Sequence, residues 1–178
     1  MHTLTFRTAT ADDVPALIEL VTSAYRGDAS RAGWTTEADI LDGQRVDAEG
    51  ILADIARPRS AILLAEQAGR LLACCHIAEE DGHGYFGMFA VSPAAQGGGV
   101  GKQVMRQAEH HVAAQWRLAT MQMTVIDCRD ELIAFYERRG YARTGIKKPF
   151  PYGNERFGIP RRDDLRFEIL EKQLEPAA

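Results

Sequence analysis

The sequence predicts one α/β (α+β) domain spanning residues 1–178, with elements in the order β-α-α-β-β-β-α-β-α-β-β. Three observations carry this reading. Short apolar runs with strand-like alternation stand near both ends of the chain and in a central group joined by turn residues. Segments with helical spacing of apolar residues fall between them. One stretch, Gly84 to Gln115, runs strand, glycine turn, helix without interruption.

Taken in order, Leu4-Thr5-Phe6-Arg7 alternates as a first strand. Thr10 followed by Asp13 resembles a capping box with the shorter acid, and Pro15 sits where a helix start tolerates proline. Val14, Leu17, Ile18 and Val21 form the apolar face of a helix reaching about Tyr25. Residues 26–35 read as a loop, Thr35 or Thr36 as the cap of a short helical segment through Ile40 and Leu41, and Ala48 to Ala56 as a helix that Pro58 ends. Ala61 to Ala65 and Leu71 to Ile77 are strands, joined as a hairpin through Gln67-Ala68-Gly69. Asp81-Gly82 turns the chain into the strand Gly84 to Val91, which Ser92-Pro93 breaks. Val100, Val104, Met105, Ala108, Val112 and Trp116 share one face of the helix that follows. Met121 to Ile126 is a strand, Leu132 to Tyr136 belongs to a helix stopped by Gly140, and Tyr141 to Ile146 is a strand. Residues 147–163, rich in proline and glycine, read as a long loop of the kind that is often functional, and Leu165 to Leu170 is the last strand.

Composition narrows the functional classes. At 178 residues, with 46% hydrophobic and 26% charged side chains, the chain suits one soluble domain with a substantial core. No apolar run reaches membrane-spanning length, and Met1-His2-Thr3-Leu4-Thr5 lacks the features of a signal peptide. Cys74, Cys75 and Cys128 make neither a disulfide nor a zinc framework, so a reducing cytoplasm and no metal are expected. The net charge of −4 argues against nucleic acid. That charge is uneven: residues 1–128 carry 10 basic and 16 acidic side chains, residues 129–172 carry 11 and 8.

The glycine turn carries chemistry. The first turn of a helix has backbone N–H groups without intrahelical partners, and the helix dipole adds partial positive charge there. Glycines let the backbone curl close to an anion, so Gln96-Gly97-Gly98-Gly99-Val100-Gly101-Lys102 suits a phosphate or pyrophosphate. Two other phosphate loops fail by letter. A Walker A loop needs glycine at Gln96 and Ser or Thr at Gln103, and the dinucleotide fingerprint meets Lys102 or Val104 where its third glycine belongs.

The stretch instead resembles the pyrophosphate motif Q/R-x-x-G-x-G/A of the GNAT-type acyl-CoA N-acetyltransferases, with Gln96, Gly99 and Gly101 at the fixed positions. Phe135-Tyr136-Glu137-Arg138-Arg139-Gly140-Tyr141 is similar to a second segment of that family, Y-E-K-x-G-F/Y, and the element order matches its fold from end to end. The resemblance implies a mixed central sheet of about seven strands with flanking helices, and acetyl-CoA as cosubstrate. It places the cofactor in a cleft between the strands ending near Val91 and Ile126. Backbone groups of Phe89, Ala90 and Val91 would pair with pantetheine, and those from Gly97 through Gly98, Gly99, Val100 and Gly101 to Lys102 would take the pyrophosphate. Tyr136 matches the family's general acid for the leaving thiolate. Arg129 stands where the family often has an asparagine holding the pantetheine arm, so that contact must be made differently.

The general base is open among His76, Glu79, Glu80, His83 and Asp127. Cys128, without a motif-linked histidine, reads as inert. On the acceptor side, Trp34, Glu37 and Arg45 come from the helical pair, and Phe150, Tyr152 and Asn154 from the late loop. Trp34, Arg45 and Tyr152 are the expected acceptor contacts, with a small-molecule amine as substrate. A protein or peptide acceptor, and a non-catalytic CoA-binding module, are the alternatives. Whether the chain forms a homodimer, as many members of that family do, is left open.

Overall fold

A computed structural model describes residues 3–177; the expected absence of a leader begins on Met1 and His2, outside the described residues. The strands are β1 (Thr5–Thr8), β2 (Leu41–Asp42), β3 (Ser60–Gln67), β4 (Arg70–Glu80), β5 (His83–Val91), β6 (Thr120–Ile126), β7 (Ala142–Pro149), β8 (Ile159–Pro160) and β9 (Arg166–Gln173). The helices are α1 (Val14–Tyr25), α2 (Gly27–Ser30), α3 (Ala48–Ala56), α4 (Val100–Gln115) and α5 (Asp130–Glu137). Seven strands make a mixed sheet in the order β1-β3-β4-β5-β6-β9-β7, while β2 and β8 pair separately.

Local chemistry explains the antiparallel half. Ala68 and Gly69 both take positive φ (52° and 75°), as do Asp81 and Gly82 (49° and 81°). That is the mirror-image turn whose twist matches two hairpin strands. The Asp13 carboxylate accepts from the Thr10 backbone N–H at 2.8 Å, so the expected capping device opens the α1 region. Arg7 grips the same carboxylate through two bonds of 2.8 Å and holds Asp13 down at about 2.

Alternation along the strands feeds two cores. Leu63, Ala65, Ala73, Cys75, Ile77, Phe86 and Phe89 pack with α4 and α5 on one face. Ile62, Leu64, Cys74, Met88 and Ala90 pack with α1 and α3 on the other. Full burial of a side chain such as Leu17, Ile51 or Leu64 stabilises by about 1.5–3 kcal/mol.

Two features of β5 open the sheet. Between the pairs Cys74↔Ala90 and His76↔Gly87, one residue of β4 faces two of β5, a bulge at which Met88 takes φ 45°. A bulge bends its strand and strengthens the twist. On the other side, β5 and β6 run parallel and pair only at Gly84↔Met121 and Tyr85↔Gln122. Beyond Tyr85 the strands diverge, and the cleft lies between them.

Three expectations are corrected. Residues 26–35 are not all loop, because Gly27–Ser30 forms the one-turn helix α2. Residues 38–40 form a turn instead of a short helical segment, and the Thr36 hydroxyl accepts from the Ala38 N–H, a local bond that competes with helix. Residues 147–163 are not one loop, because β7 continues to Pro149 along β9 and β8 pairs with β2 at Leu41↔Pro160 and Asp42↔Ile159. Strand β7 is exposed along its whole length, with a register break between Arg143 and Lys147 and Gly145 at φ 77°.

Gly84 sets the crossing of β5, β6 and α4. A Cβ there would stand 2.5 Å from Val112 Cγ1, 3.1 Å from Met121 Sδ and 3.3 Å from the Thr120 carbonyl. Gly84→Ala is expected to destabilise by about 1–3 kcal/mol through overpacking, read as a lower urea midpoint at unchanged slope. Adding Val112→Ala makes room, so the double variant should lose less than the two single losses combined.

Candidate active site

The divergence of β5 and β6 creates a cavity of about 600 Å³, a size that fits a small-molecule site. Tyr85, Met88 and Phe89 line it from β5, Thr124 and Ile126 from β6, and Tyr136 from α5. Tyr25 reaches in from the end of α1 and donates its hydroxyl to the Phe89 carbonyl. Cys74 Sγ donates to the Met88 carbonyl at 3.5 Å, so side chains cover two of the carbonyls at the bulge.

The glycine turn lies at the far end of β5. Gly97 and Gly99 hold φ of 85° and 79°, and Gly99 is the N-cap of the 16-residue α4. Nothing lies within 4 Å of where a Cβ on either would point, so the approach to their backbone is open. A Cβ on Gly101 would stand 3.0 Å from Phe89 Cζ, so this glycine lets α4 sit tightly on β5. The free N–H groups of the α4 first turn and the unobstructed glycine backbone suit a diphosphate. The Gln96 side chain is engaged inside the protein. Its amide donates to the Val91 carbonyl and the Thr35 hydroxyl, both at 3.0 Å, and its Oε1 accepts from the Trp34 N–H at 3.0 Å.

Tyr136 is buried, 4% exposed, among Phe89, Phe135 and Tyr141. Burial, with Tyr25 nearby, pushes its phenol well above 10, so it stays protonated at neutral pH. A buried, protonated hydroxyl beside the cleft can donate a hydrogen bond to an anion formed there.

The opposite wall is ionic. Glu37 accepts from Arg26 and from Arg129 (2.8 Å), all three nearly buried. Burial alone would raise the Glu37 carboxyl, but the Arg129 and Arg26 charges outweigh it and hold it below the usual carboxylate range. Arg129 also donates to the Thr35 carbonyl, so its guanidinium is largely committed to this wall. The wall is covered by the β2–β8 pair, where Arg161 makes two 2.8 Å bonds to Asp42, and Arg156 pairs with Asp47 at 2.7 Å.

Of the three expected acceptor contacts, Arg45 alone lines the cavity. Trp34 leans on Phe135, ring centroids 5.1 Å apart, on the side of the glycine turn. Tyr152 is a fastener of the late segment: its hydroxyl donates to the Arg162 carbonyl at 2.9 Å and accepts from the Leu165 N–H at 2.8 Å. Neither lines the cavity: the Tyr152 hydroxyl is satisfied within the late segment, and the Trp34 ring stands on the side of the glycine turn.

A family model described as the Acetyltransferase (GNAT) family matches residues 15–141. This chain belongs to the GNAT family. An IAA acetyltransferase of Azospirillum brasilense is 31% identical over 105 residues, covering 57% of this chain and 66% of that relative, just under two thirds of its length. The fold is shared with the ribosomal-protein-S18-alanine N-acetyltransferase of Escherichia coli (TM-score 0.71, 15% identity, covering 99% of this chain and 97% of that one). It is shared also with yncA of Salmonella typhimurium, solved with its cofactor acetyl-CoA (TM-score 0.69, 19% identity, covering 99% and 96%).

Within this GNAT chain the candidate bases separate. Glu80 and His83 line the cavity. Glu79 pairs with Arg59, and Asp127 with Lys147 and Arg166, outside it. His76 lines the neighbouring hollow, shares a 2.8 Å bond with Ser60, and is kept neutral at pH 7 by burial. Burial raises the Cys128 thiol, as an inert cysteine requires. Sequence reasoning missed Tyr25 and Arg26 as cavity-lining residues; their position where α1 gives way to the following segment was the available signal. Among the described residues no cluster suits a metal ion, and no helix is long and apolar enough to cross a membrane.

Two outcomes are expected. Gly99→Val forces a β-branched residue to φ 79°, so acetyl-CoA should raise the melting temperature of the native protein and not of the variant, with unchanged circular dichroism as the control. Glu37→Ala leaves two buried guanidinium groups facing each other and should cost about 3–5 kcal/mol in chemical denaturation.

Proposed function

We propose that the chain is an acetyl-CoA-dependent N-acetyltransferase acting on a primary amine of a small molecule. The observation that carries the small-molecule reading is the bonded cover. The segment around β2 and the segment around β8 are zipped by backbone pairing, by the Arg161–Asp42 bonds and by Arg161 N–H to the Ile40 carbonyl at 2.9 Å. A cavity of about 600 Å³ flanked by this bonded pair, with Leu41 on its wall, suits a small amine better than an extended peptide, which needs a long groove or a free strand edge. The ribosomal-protein acetyltransferase that shares the fold is 15% identical, so its acceptor does not transfer.

Acetyl-CoA supplies the acyl thioester: the amine nitrogen bonds to the acyl carbon, the C–S bond breaks, the ammonium gives up a proton and the thiolate takes one. The α4 first turn would hold the diphosphate through backbone N–H groups, and β5 beyond Tyr85, unpaired with β6, offers backbone groups to the pantetheine arm. Tyr136 keeps its proton because burial raises its phenol. A thiol of ordinary pKa near 8.5 is the stronger acid, so Tyr136 stabilises the thiolate by a hydrogen bond without giving up its proton, and the proton lost by the ammonium reaches the thiolate through solvent.

Tyr136→Phe deletes only the hydroxyl. It should lower kcat by about 100-fold and leave acetyl-CoA affinity unchanged, measured by free CoA release and by calorimetry. The acceptor reading is checked with amino acids, polyamines, aminoglycosides and lysine peptides under matched conditions; peptides outrunning every small amine would reverse it.

A further inference from the structure

We infer that the acceptor carries a carboxylate, and that Arg45 is the residue that holds it. This deepens the small-amine reading above and rests on it. Arg45 is half-buried and lines the cavity, with its guanidinium carbon 5.5 Å from the centre of the Tyr25 ring. Among the described residues, no carboxylate lies within ion-pair distance of it. The other two arginines on this wall, Arg26 and Arg129, share Glu37. Arg45 adds to the field that holds Glu37 below the usual carboxylate range but makes no ion pair with it. A half-buried guanidinium whose planar fork is bonded to no acid is an open anion site, because the fork matches a carboxylate.

The surroundings agree. The cavity is lined by Arg26, Arg45, Arg129 and Lys148 against Glu37 and Glu80, two positive charges in excess, in a chain whose net charge is −4. Glu80 is also engaged by Arg57 at 3.3 Å. Arg26 Nε is buried on the same wall without a hydrogen-bond partner, a second unmet donor. None of residues 96–102 lines the cavity, so this charge is not placed for the diphosphate. Positive excess also disfavours an ammonium ion relative to the neutral amine that must attack, so polycations fit poorly. The rest of the lining is mainly apolar, with Leu41, Met88, Phe150 and Ile169 set against the polar Gln122 and Thr124. The acceptor class is therefore an amino carboxylate with an apolar body, of amino-acid size.

The test compares L-leucine, L-phenylalanine and L-tryptophan with their primary amides, which keep the amine and replace the carboxylate by a neutral group. Arg45→Ala should lower the acid-to-amide ratio of kcat/KM by about 10- to 100-fold, mainly through KM, and Arg45→Lys should recover part of it. Dividing by the wild-type ratio removes the intrinsic difference in amine basicity. Independently of turnover, calorimetry on the protein saturated with CoA should show N-acetyl-L-phenylalanine binding more tightly than its amide in the wild type and equally in Arg45→Ala. Equal binding of acid and amide by the wild type, a preference that survives Arg45→Ala, or no binding of either would overturn the carboxylate site. Lysine peptides as the only acceptors would overturn the small-amine reading instead, and the calorimetric comparison would still decide the role of Arg45.

Discussion

The structure depends on a contact only two residue pairs long. β5 and β6 touch at Gly84 and Tyr85 and then separate, and the cavity lies in the space they leave. A parallel pair normally continues along its ladder, because unpaired backbone groups inside a protein are costly. Here the ladder stops because the Met88 bulge bends β5 away while Gly84 pins its beginning against α4 and β6. The exposed edge of β5 is the debt of that arrangement. Tyr25 and Cys74 cover two carbonyls beside the bulge, and the rest of the edge is what a strand-like arm could complete.

The second constraint is electrostatic. Burying Glu37 with two arginines is not a source of large net stability, since desolvating three charges offsets most of the attraction between them. Its effect is geometrical. Arg26 comes from the end of α1, Glu37 from the following turns and Arg129 from the N-cap of α5, so one carboxylate fixes the relation of three segments that share no secondary structure. The wall facing the sheet opening is thereby held at a set distance, and the rotamers of its cations are restricted before any ligand arrives.

The fold was largely legible because its signals are local. Hairpin turns at Ala68-Gly69 and Asp81-Gly82, proline breaks at Pro58 and Pro93, and the apolar faces of α1 and α4 announce themselves within a few residues. The glycine turn ahead of α4 was legible for the same reason. What the sequence hid depends on partners far away in the chain. β2 and β8 are two residues each and exist only because they find one another across more than a hundred positions. Trp34 and Tyr152 are the residue types an acceptor site uses, but Trp34 leans on Phe135 and the Tyr152 hydroxyl is satisfied by Arg162 and Leu165, contacts no spacing rule reveals. Arg45 was visible as a candidate, but that it lines the cavity without an ion-pair partner has no sequence signature.

The outermost strand bears on how the protein behaves among copies of itself. An open sheet ends in backbone donors and acceptors that another chain could extend. β7 makes a poor template: its ladder breaks between Arg143 and Lys147, Gly145 twists it at φ 77°, Lys147 and Lys148 repel an identical strand, and Pro149 lacks a donor. Growth of the sheet from molecule to molecule along this edge is blocked at several points. Contact between copies at this end of the sheet must therefore use side-chain surfaces, and concentrated solutions are protected there from fibrous association by the strand's own irregularity.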